Sequence, residues 1–197
     1  VSLAAEDWDG YRRLLELTAA QKDVDVVELN LSCPNVERGG MAVGTDPEIL
    51  ARYVNHATDI LSGVAVIAKL TPNVGDIGRL ALAAEAAGAS GITAINTVVG
   101  MDIDIEKGRP VFDRVRAGLS GPAILPIALE AVWRISSTVD IPVIGVGGIH
   151  SVRDARKFFM AGAAGVQIGT AIFYDPGLAE AIVSDLRENG IPQRIDL

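Results

Sequence analysis

The chain has 197 residues, of which 49% are hydrophobic and 21% are charged, and its net charge is -8. This composition excludes a disordered chain, and an acidic balance without a basic run longer than a pair argues against a nucleic-acid partner. No apolar run approaches the roughly 20 residues that a membrane span requires, so we expect no membrane association. Cys33 is the single cysteine, which excludes an internal disulfide and favours a reducing compartment, for which we expect the cytoplasm.

Helical patterns alternate with short apolar runs along the whole chain. The apolar runs are apolar almost throughout, which is typical of parallel strands covered on both faces. The order predicts an α/β fold with a parallel sheet, in one domain over residues 1–197. In chain order, we predict a helix over 8–20, a strand over 24–29, a helix that opens at 46–48, a strand over 64–70 and a helix over 76–87. We then predict a strand over 91–95, a helix over 126–138 and a strand over 141–146, followed by a helix over 151–161, a strand over 165–168 and a helix over 176–189. The stretches 34–45 and 97–121 are predicted to be long, glycine-rich loops.

Polar or glycine residues follow every predicted strand at its carboxyl end. They are Asn30, Lys69, Asn96 with Thr97, the pair Gly147 and Gly148, and Gly169 with Thr170. A (β/α)8 barrel places its active site at this face, and a doubly wound sheet also binds ligands there, so the distribution alone leaves both folds open.

The two glycine sites that follow the last predicted strands suggest a phosphate cradle. Backbone N–H groups and a helix N-terminus bind phosphate at this place in many barrels, and glycine lets the backbone approach the ligand. The alternative is that Gly147-Gly148 and Gly169-Thr170 form tight turns that bind nothing.

Lys69 ends an apolar strand, where a lysine is seldom fully buried without an anionic partner. It is a candidate cation beside an anionic ligand, and the alternative is a side chain that extends to solvent at the rim. Asn30, Asn35 and Asn96 offer paired donors and acceptors for a planar heterocycle, although each alone is more often a turn residue.

Cys33 is a candidate base because it lies in a polar loop before Pro34, and its ordinary pKa of about 8.5 is within reach of neutral pH. The alternative is a small buried apolar residue. His56 and His150 are interpreted as non-catalytic. The acidic run 102–106 is interpreted as an exposed loop, and no metal site is expected.

The motifs together resemble the dihydroorotate dehydrogenase family, whose members are FMN-containing TIM barrels that oxidise (S)-dihydroorotate to orotate in pyrimidine biosynthesis. The resemblance is specific because the motifs occur in family order over nearly the whole chain. They are Asn-Leu-Ser-Cys-Pro-Asn at 30–35, Ala-Lys-Leu-Thr-Pro-Asn at 68–73, Ile-Asn-Thr at 95–97, Gly-Leu-Ser-Gly-Pro-Ala-Ile at 118–124, Gly-Val-Gly-Gly-Ile at 145–149 and Gln-Ile-Gly-Thr at 167–170.

The resemblance implies a role for each candidate residue. Cys33 would remove the C5 proton of dihydroorotate, the C6 hydride would pass to FMN, and Lys69 would stabilise the negative charge of reduced flavin. The implied substrate ligands are Asn30, Asn35, Asn96 and Thr97, and the implied FMN ligands are Asn30, Lys69, Gly121, Gly147, Gly148, Gly169 and Thr170.

A cysteine at position 33 resembles the soluble class 1 enzymes, and residues 39–48 look most like type 1B. That type implies a second subunit with FAD and a 2Fe–2S cluster, which passes electrons to NAD⁺. The implied assembly is a heterotetramer around a dimer of catalytic subunits.

The family barrel has eight strands, and the predicted strands of this chain correspond to roughly strands 4–8. We therefore expect an N-terminally incomplete, FMN-binding TIM-barrel domain. Two alternatives stay open: the flavin domain of a dihydropyrimidine dehydrogenase, which reduces uracil or thymine, and a partial barrel that is not catalytic alone.

Overall fold

The computed structural model describes residues 1–5, 7–31 and 43–195. Outside residues 97–121, strands and helices alternate as predicted. The strands are β1 (Ser2–Leu3), β2 (Val26–Asn30), β3 (Ala65–Leu70), β4 (Gly91–Ala94), β5 (Val98–Gly100), β6 (Ile103–Asp104), β7 (Arg109–Pro110), β8 (Ala117–Leu119), β9 (Val143–Val146) and β10 (Gly165–Gln167). The helices are α1 (Trp8–Ala19), α2 (Pro47–Ile60), α3 (Ile77–Ala86), α4 (Leu125–Ser136), α5 (Val152–Met160) and α6 (Leu178–Asn189), with short 3-10 helices at Pro122–Ile124 and Thr170–Phe173.

Six of the described strands form one parallel sheet in the order β1-β2-β3-β4-β9-β10. Its register places Asn30 beside Lys69 and Lys69 beside Thr93. Strands β2 and β10 are four strand spacings apart, which would be about 19 Å in a flat sheet. Side chains of Glu28 on β2 and Gln167 on β10 are nevertheless 2.8 Å apart. The sheet is therefore strongly curled, as expected for a partial α/β barrel.

The helices cover the convex face of this sheet because their apolar sides meet the buried residues of the strands. In β3, Val66, Ala68 and Leu70 are fully buried, whereas the alternate residues are only half-buried. The uniformly apolar strands predicted from sequence are therefore unequal on their two faces. The half-buried face lines the interior of the curl, and this is where the polar side chains collect.

Local signals in the sequence set the helix starts. The Asp46 side chain accepts hydrogen bonds from the backbone N–H groups of Glu48 and Ile49, and Pro47 occupies the first position of α2. Ser151 caps α5 in the same way, through the N–H of Asp154. Such caps satisfy N–H groups that have no partner within the helix.

The segment 97–121 was predicted to be irregular, and the structure corrects this. Strand β5 pairs with β8, and β6 pairs with β7, both antiparallel. Each strand has only two or three residues, which is too short to produce a period-2 pattern. In the described part of the chain, no helix is long and apolar enough to cross a membrane.

Candidate functional site

A cleft of about 420 Å³ lies at the carboxyl ends of the parallel strands. Most of the predicted site residues line it: Lys69, Asn96, Thr97, Gly121, Gly147, Gly148, Gly169 and Thr170. Cys33 and Asn35 lie outside the described residues. Gln167 and His150 also line the cleft, and neither was a predicted ligand. Both lie beside strand-end motifs, and this position is the signal that could have identified them.

The Lys69 side chain lies inside the curl of the sheet and is 19% exposed. Its Nζ is 3.4 Å from Oε1 of Gln167 and 3.5 Å from Oε1 of Glu28. The ammonium group is therefore held by polar groups of the interior while it lines the cleft. This geometry favours the interpretation that Lys69 is a cation beside an anionic ligand over the alternative that its side chain extends to bulk water.

Glu28 is a buried carboxylate that the sequence analysis did not select. Its Oε2 accepts hydrogen bonds of 2.8 Å from both Thr93 and Gln167, and its Oε1 accepts one of 2.9 Å from Ser2. Burial alone would raise the pKa of Glu28, but these hydrogen bonds and the charge of Lys69 outweigh it and lower the pKa below 4.5. Glu28 is therefore an anion at neutral pH. An acid within the predicted strand 24–29 was the available signal, since buried acids are normally paired.

Asn30, the last residue of β2, contacts Asn96, which follows β4, across the end of β3. Asn96 Nδ2 donates to Asn30 Oδ1 at 2.9 Å, and Asn96 Oδ1 accepts from the backbone N–H of Thr97 at 2.8 Å. The backbone carbonyl of Asn30 also accepts a hydrogen bond from the Tyr11 hydroxyl. These bonds fix the orientation of the Asn96 amide at the wall of the cleft, and they connect Asn30 to the cleft through Asn96.

The glycines around the cleft serve two different purposes. A Cβ on Gly147 would lie 2.8 Å from Cβ of Ala128, and one on Gly148 would lie 2.7 Å from the backbone nitrogen of Leu125. Both residues also have positive φ angles, of 134° and 74°. The close packing of this turn against α4 is thus by itself sufficient reason for glycine at both positions.

The surroundings of Gly121 and Gly169 are more open. Among the described residues other than its two chain neighbours, no heavy atom lies within 4 Å of a Cβ built on Gly169, and on the same terms only Cγ2 of Thr170, at 3.7 Å, approaches one on Gly121. Open space beside a cleft-lining glycine is what close approach of a ligand to the backbone requires. Thr170 lies between them, and its hydroxyl donates to Oγ of Ser120 at 2.9 Å.

Asp154 organises the wall of the cleft at the start of α5. Its carboxylate accepts hydrogen bonds from Ser151 at 2.5 Å and Lys157 at 2.8 Å, and it lies 3.0 Å from Nδ1 of His150. Burial would raise the pKa of Asp154, but hydrogen bonds from Lys157 and Ser151 and the nearby charges lower it below 3.8. His150 is thereby tied to the helix start while it lines the cleft.

Within 1–5, 7–31 and 43–195, no group of three or more His, Cys, Asp or Glu side chains is placed to hold a metal ion. The polar groups that line the cleft are the Lys69 ammonium, the Asp175 carboxylate, the His150 imidazole, side-chain amides and hydroxyls, and backbone beside glycines. This set suits an organic ligand with an anionic part.

The sequence matches a family model described as dihydroorotate dehydrogenase over residues 1–189. It is 47% identical over 185 residues to "Dihydroorotate dehydrogenase A (fumarate)" of Limosilactobacillus reuteri strain DSM 20016, covering 94% of this chain and 60% of the relative. It is 45% identical over 188 residues to "Dihydroorotate dehydrogenase B (NAD(+)), catalytic subunit" of Desulforudis audaxviator, covering 95% of this chain and 61% of the relative. The chain thus spans about 60% of the length of these curated relatives.

A solved structure gives independent evidence for the fold. The crystal structure of DHODH in complex with ferulenol from Eimeria tenella matches with a TM-score of 0.74 at 21% identity, covering 93% of this chain and 54% of that one. The curled sheet is accordingly part of a TIM barrel. On the family model and these identities, the chain belongs to the dihydroorotate dehydrogenase family.

Proposed function

We propose that the protein oxidises (S)-dihydroorotate to orotate with FMN as the electron acceptor. One observation carries the proposal: the Lys69 ammonium is held by Gln167 and Glu28 in a cleft at the carboxyl ends of the strands. A fixed cation at this position stabilises negative charge that develops on a ligand. The activity is proposed for the protein that carries this sequence, since the chain spans about 60% of its relatives' length.

The cleft has the size and the donors that FMN requires. Its volume of about 420 Å³ lies within the ordinary range for cofactor sites, about 300 to 1,000 Å³. We propose that Lys69 contacts the flavin ring, with Asn30 nearby. Gly121, Gly147, Gly148, Gly169 and Thr170 would surround the ribityl and phosphate groups, and open space at Gly121 and Gly169 supports this assignment. When bound, FMN supplies a two-electron acceptor.

The substrate is proposed to lie against the asparagine side of the cleft. Asn96 presents a side-chain amide whose orientation is fixed by Asn30 and Thr97. Such an amide can donate to a ring carbonyl or accept from a ring N–H, as recognition of a pyrimidine requires. We assign Asn35 to the same role from its place in the family motif, and it lies outside the described residues.

Cys33 is proposed as the base. As a thiolate it would take the proton from C5 of dihydroorotate, the C6 hydrogen would leave as hydride to the acceptor, and the C5–C6 bond would become double. This assignment comes from the match of positions 30–35 to the family motif. Lys69 would stabilise the negative charge that the acceptor gains.

The electron acceptor is proposed to be NAD⁺, reached through a second subunit that carries FAD and a 2Fe–2S cluster. Residues 39–48 resemble the NAD-linked type, and the Desulforudis audaxviator relative is named as the catalytic subunit of an NAD(+) enzyme. The Limosilactobacillus reuteri relative is named for fumarate. Two assays distinguish these acceptors. One supplies fumarate to the purified protein, and the other supplies NAD⁺ to the protein co-expressed with the proposed FAD and 2Fe–2S subunit.

Anaerobic flavin reduction tests the proposal. The purified protein should carry FMN, and its visible flavin absorbance should bleach on addition of dihydroorotate. The variant Lys69→Gln should bleach more slowly or bind less FMN, whereas Glu16→Gln, an exposed change on α1, should behave as wild type. Reduction of uracil with NADPH, without bleaching by dihydroorotate, would replace the proposal by the dihydropyrimidine dehydrogenase alternative. A protein that binds no flavin would favour the non-catalytic alternative.

A further inference from the structure

We propose that Glu28 is the buried counter-ion of Lys69, and that its negative charge lowers the electron affinity of a flavin bound in the cleft. This inference rests on the proposed function for the identity of the ligand. It assigns a tuning role to a side chain that is only 10% exposed and does not line the cleft among the described residues.

The contacts show that Glu28 is the centre of a network rather than one half of a simple ion pair. Five strands contribute to it: Ser2 from β1, Glu28 from β2, Lys69 from β3, Thr93 from β4 and Gln167 from β10. Three neutral donors lie within 2.9 Å of the carboxylate, whereas the Lys69 nitrogen is 3.5 Å away. The carboxylate is therefore held in place mainly by neutral donors.

Gln167 connects the anion to the cation and fixes both. Its Nε2 donates to Glu28 at 2.8 Å, and its Oε1 accepts from Lys69 at 3.4 Å. The amide therefore has one orientation that satisfies both charged groups. Lys69 and Gln167 line the cleft, and Glu28 lies behind them.

The electrostatic consequence follows from the sum of the charges. The negative charge of Glu28, which lies behind Lys69, offsets part of the positive charge that Lys69 presents to the cleft. A two-electron reduction adds negative charge to a flavin, and this is favoured by a cation and opposed by an anion in a partly dry interior. Removing the Glu28 charge while Lys69 stays should make the flavin easier to reduce. Removing the Lys69 charge while Glu28 stays should make it harder to reduce.

The test is the midpoint potential of the bound flavin, measured by stepwise chemical reduction against a reference dye without any substrate. We expect the potential to rise in the order Lys69→Gln, wild type, Glu28→Gln. Glu16→Gln removes the same charge at an exposed position on α1 and should match wild type, because solvent screens it. If Glu28 only held Lys69 in position, Glu28→Gln would loosen Lys69. The cation would then stabilise the reduced flavin less well, and the midpoint potential would fall instead of rising.

A Glu28→Gln potential equal to or below wild type would overturn the inference, even if dihydroorotate still bleaches the flavin. Conversely, the expected order with no bleaching by dihydroorotate would remove the proposed function and leave the inference standing. A wild-type protein that binds no flavin would overturn both.

The variant Glu28→Gln removes the carboxylate that pairs with Lys69, and a protein that fails to fold for that reason would give no potential to measure. The comparison then moves to Lys69→Gln and the double variant Lys69→Gln/Glu28→Gln, in which no uncompensated charge is buried. A higher potential in the double variant than in Lys69→Gln supports the inference. Equal potentials overturn it.

Discussion

Asn30 and Asn96 lie 66 positions apart in the chain, yet their side-chain amides share a hydrogen bond of 2.9 Å. Asn30 ends β2, and Asn96 follows β4 by two residues. The bond exists because β2 and β4 both flank β3 in the parallel sheet, so that their carboxyl ends lie at the same edge, where Asn96 lines the cleft and Asn30 contacts it through Asn96. It pre-orients one polar wall of the proposed substrate site.

Asn96→Ala should weaken orotate binding about tenfold. The change removes an amide that contacts the proposed ligand. It also leaves the side-chain carbonyl of Asn30 and the backbone N–H of Thr97 without the hydrogen bonds that Asn96 makes, and together we expect the free energy of binding to weaken by about 1–2 kcal/mol. Titration of the FMN-loaded protein with orotate, followed by the flavin absorbance, gives the affinity. Asn189→Ala on α6, whose side chain hydrogen-bonds Asp185, is the control. Equal affinities in both variants would remove Asn96 from the substrate site.

A pair of glycine variants separates packing from ligand binding. Gly148→Ala should lower the free energy of unfolding by about 1–3 kcal/mol, because its Cβ would overlap the backbone of Leu125 and its φ of 74° disfavours a side chain. Gly169→Ala should leave stability unchanged and weaken FMN binding, because its Cβ would enter open space beside the cleft.

Urea unfolding of the flavin-free proteins and fluorescence titration with FMN measure the two effects. If Gly169→Ala were destabilised as strongly as Gly148→Ala, the space beside Gly169 would not belong to a ligand.

Cys33→Ser should slow the reduction of FMN by dihydroorotate at least about 100-fold at neutral pH, which is the typical contribution of a general base. A hydroxyl is a much weaker acid than a thiol, so the residual rate of the variant should increase as the pH is raised. Stopped-flow bleaching at several pH values measures this, with equal FMN content in both proteins as the control. A variant as fast as wild type at neutral pH would exclude Cys33 as the base.

Asp154→Asn should destabilise the protein by about 1–3 kcal/mol at neutral pH, because the buried carboxylate accepts hydrogen bonds from Ser151, the cap of α5, and from Lys157. The folded-state pKa of Asp154 lies below 3.8, its ordinary value. The stabilisation from its charge is therefore complete above pH 3.8 and is lost as the pH falls through the folded-state pKa. The difference between wild type and variant should shrink over that range.

Urea unfolding at a series of pH values tests this dependence. Asp9→Asn, an exposed change in the first turn of α1, should cost only a few tenths of a kcal/mol. A difference between wild type and Asp154→Asn that did not change as the pH fell would show that the Asp154 charge contributes nothing.

Local sequence patterns were enough to predict the helices, the main parallel strands and the edge of the sheet where the site lies, but they missed the short strands β5–β8. The run at 64–70 became β3 (Ala65–Leu70), and the cap at Asp46 started α2, because apolar periodicity and capping are local properties of a few neighbouring residues. Lys69 could be placed at a strand end for the same reason. The motifs then placed the chain in its family.

Only the tertiary structure decided which side chains meet. The contact between Glu28 and Gln167 joins positions 139 apart, and it depends on the curl of the sheet, which no local pattern encodes. The same holds for the glycines: Gly148 packs against Leu125, whereas Gly169 borders open space, although both follow parallel strands. The position of a residue at a strand end can be predicted from the sequence. Which side chain it contacts across the barrel depends on sheet order, register and curvature.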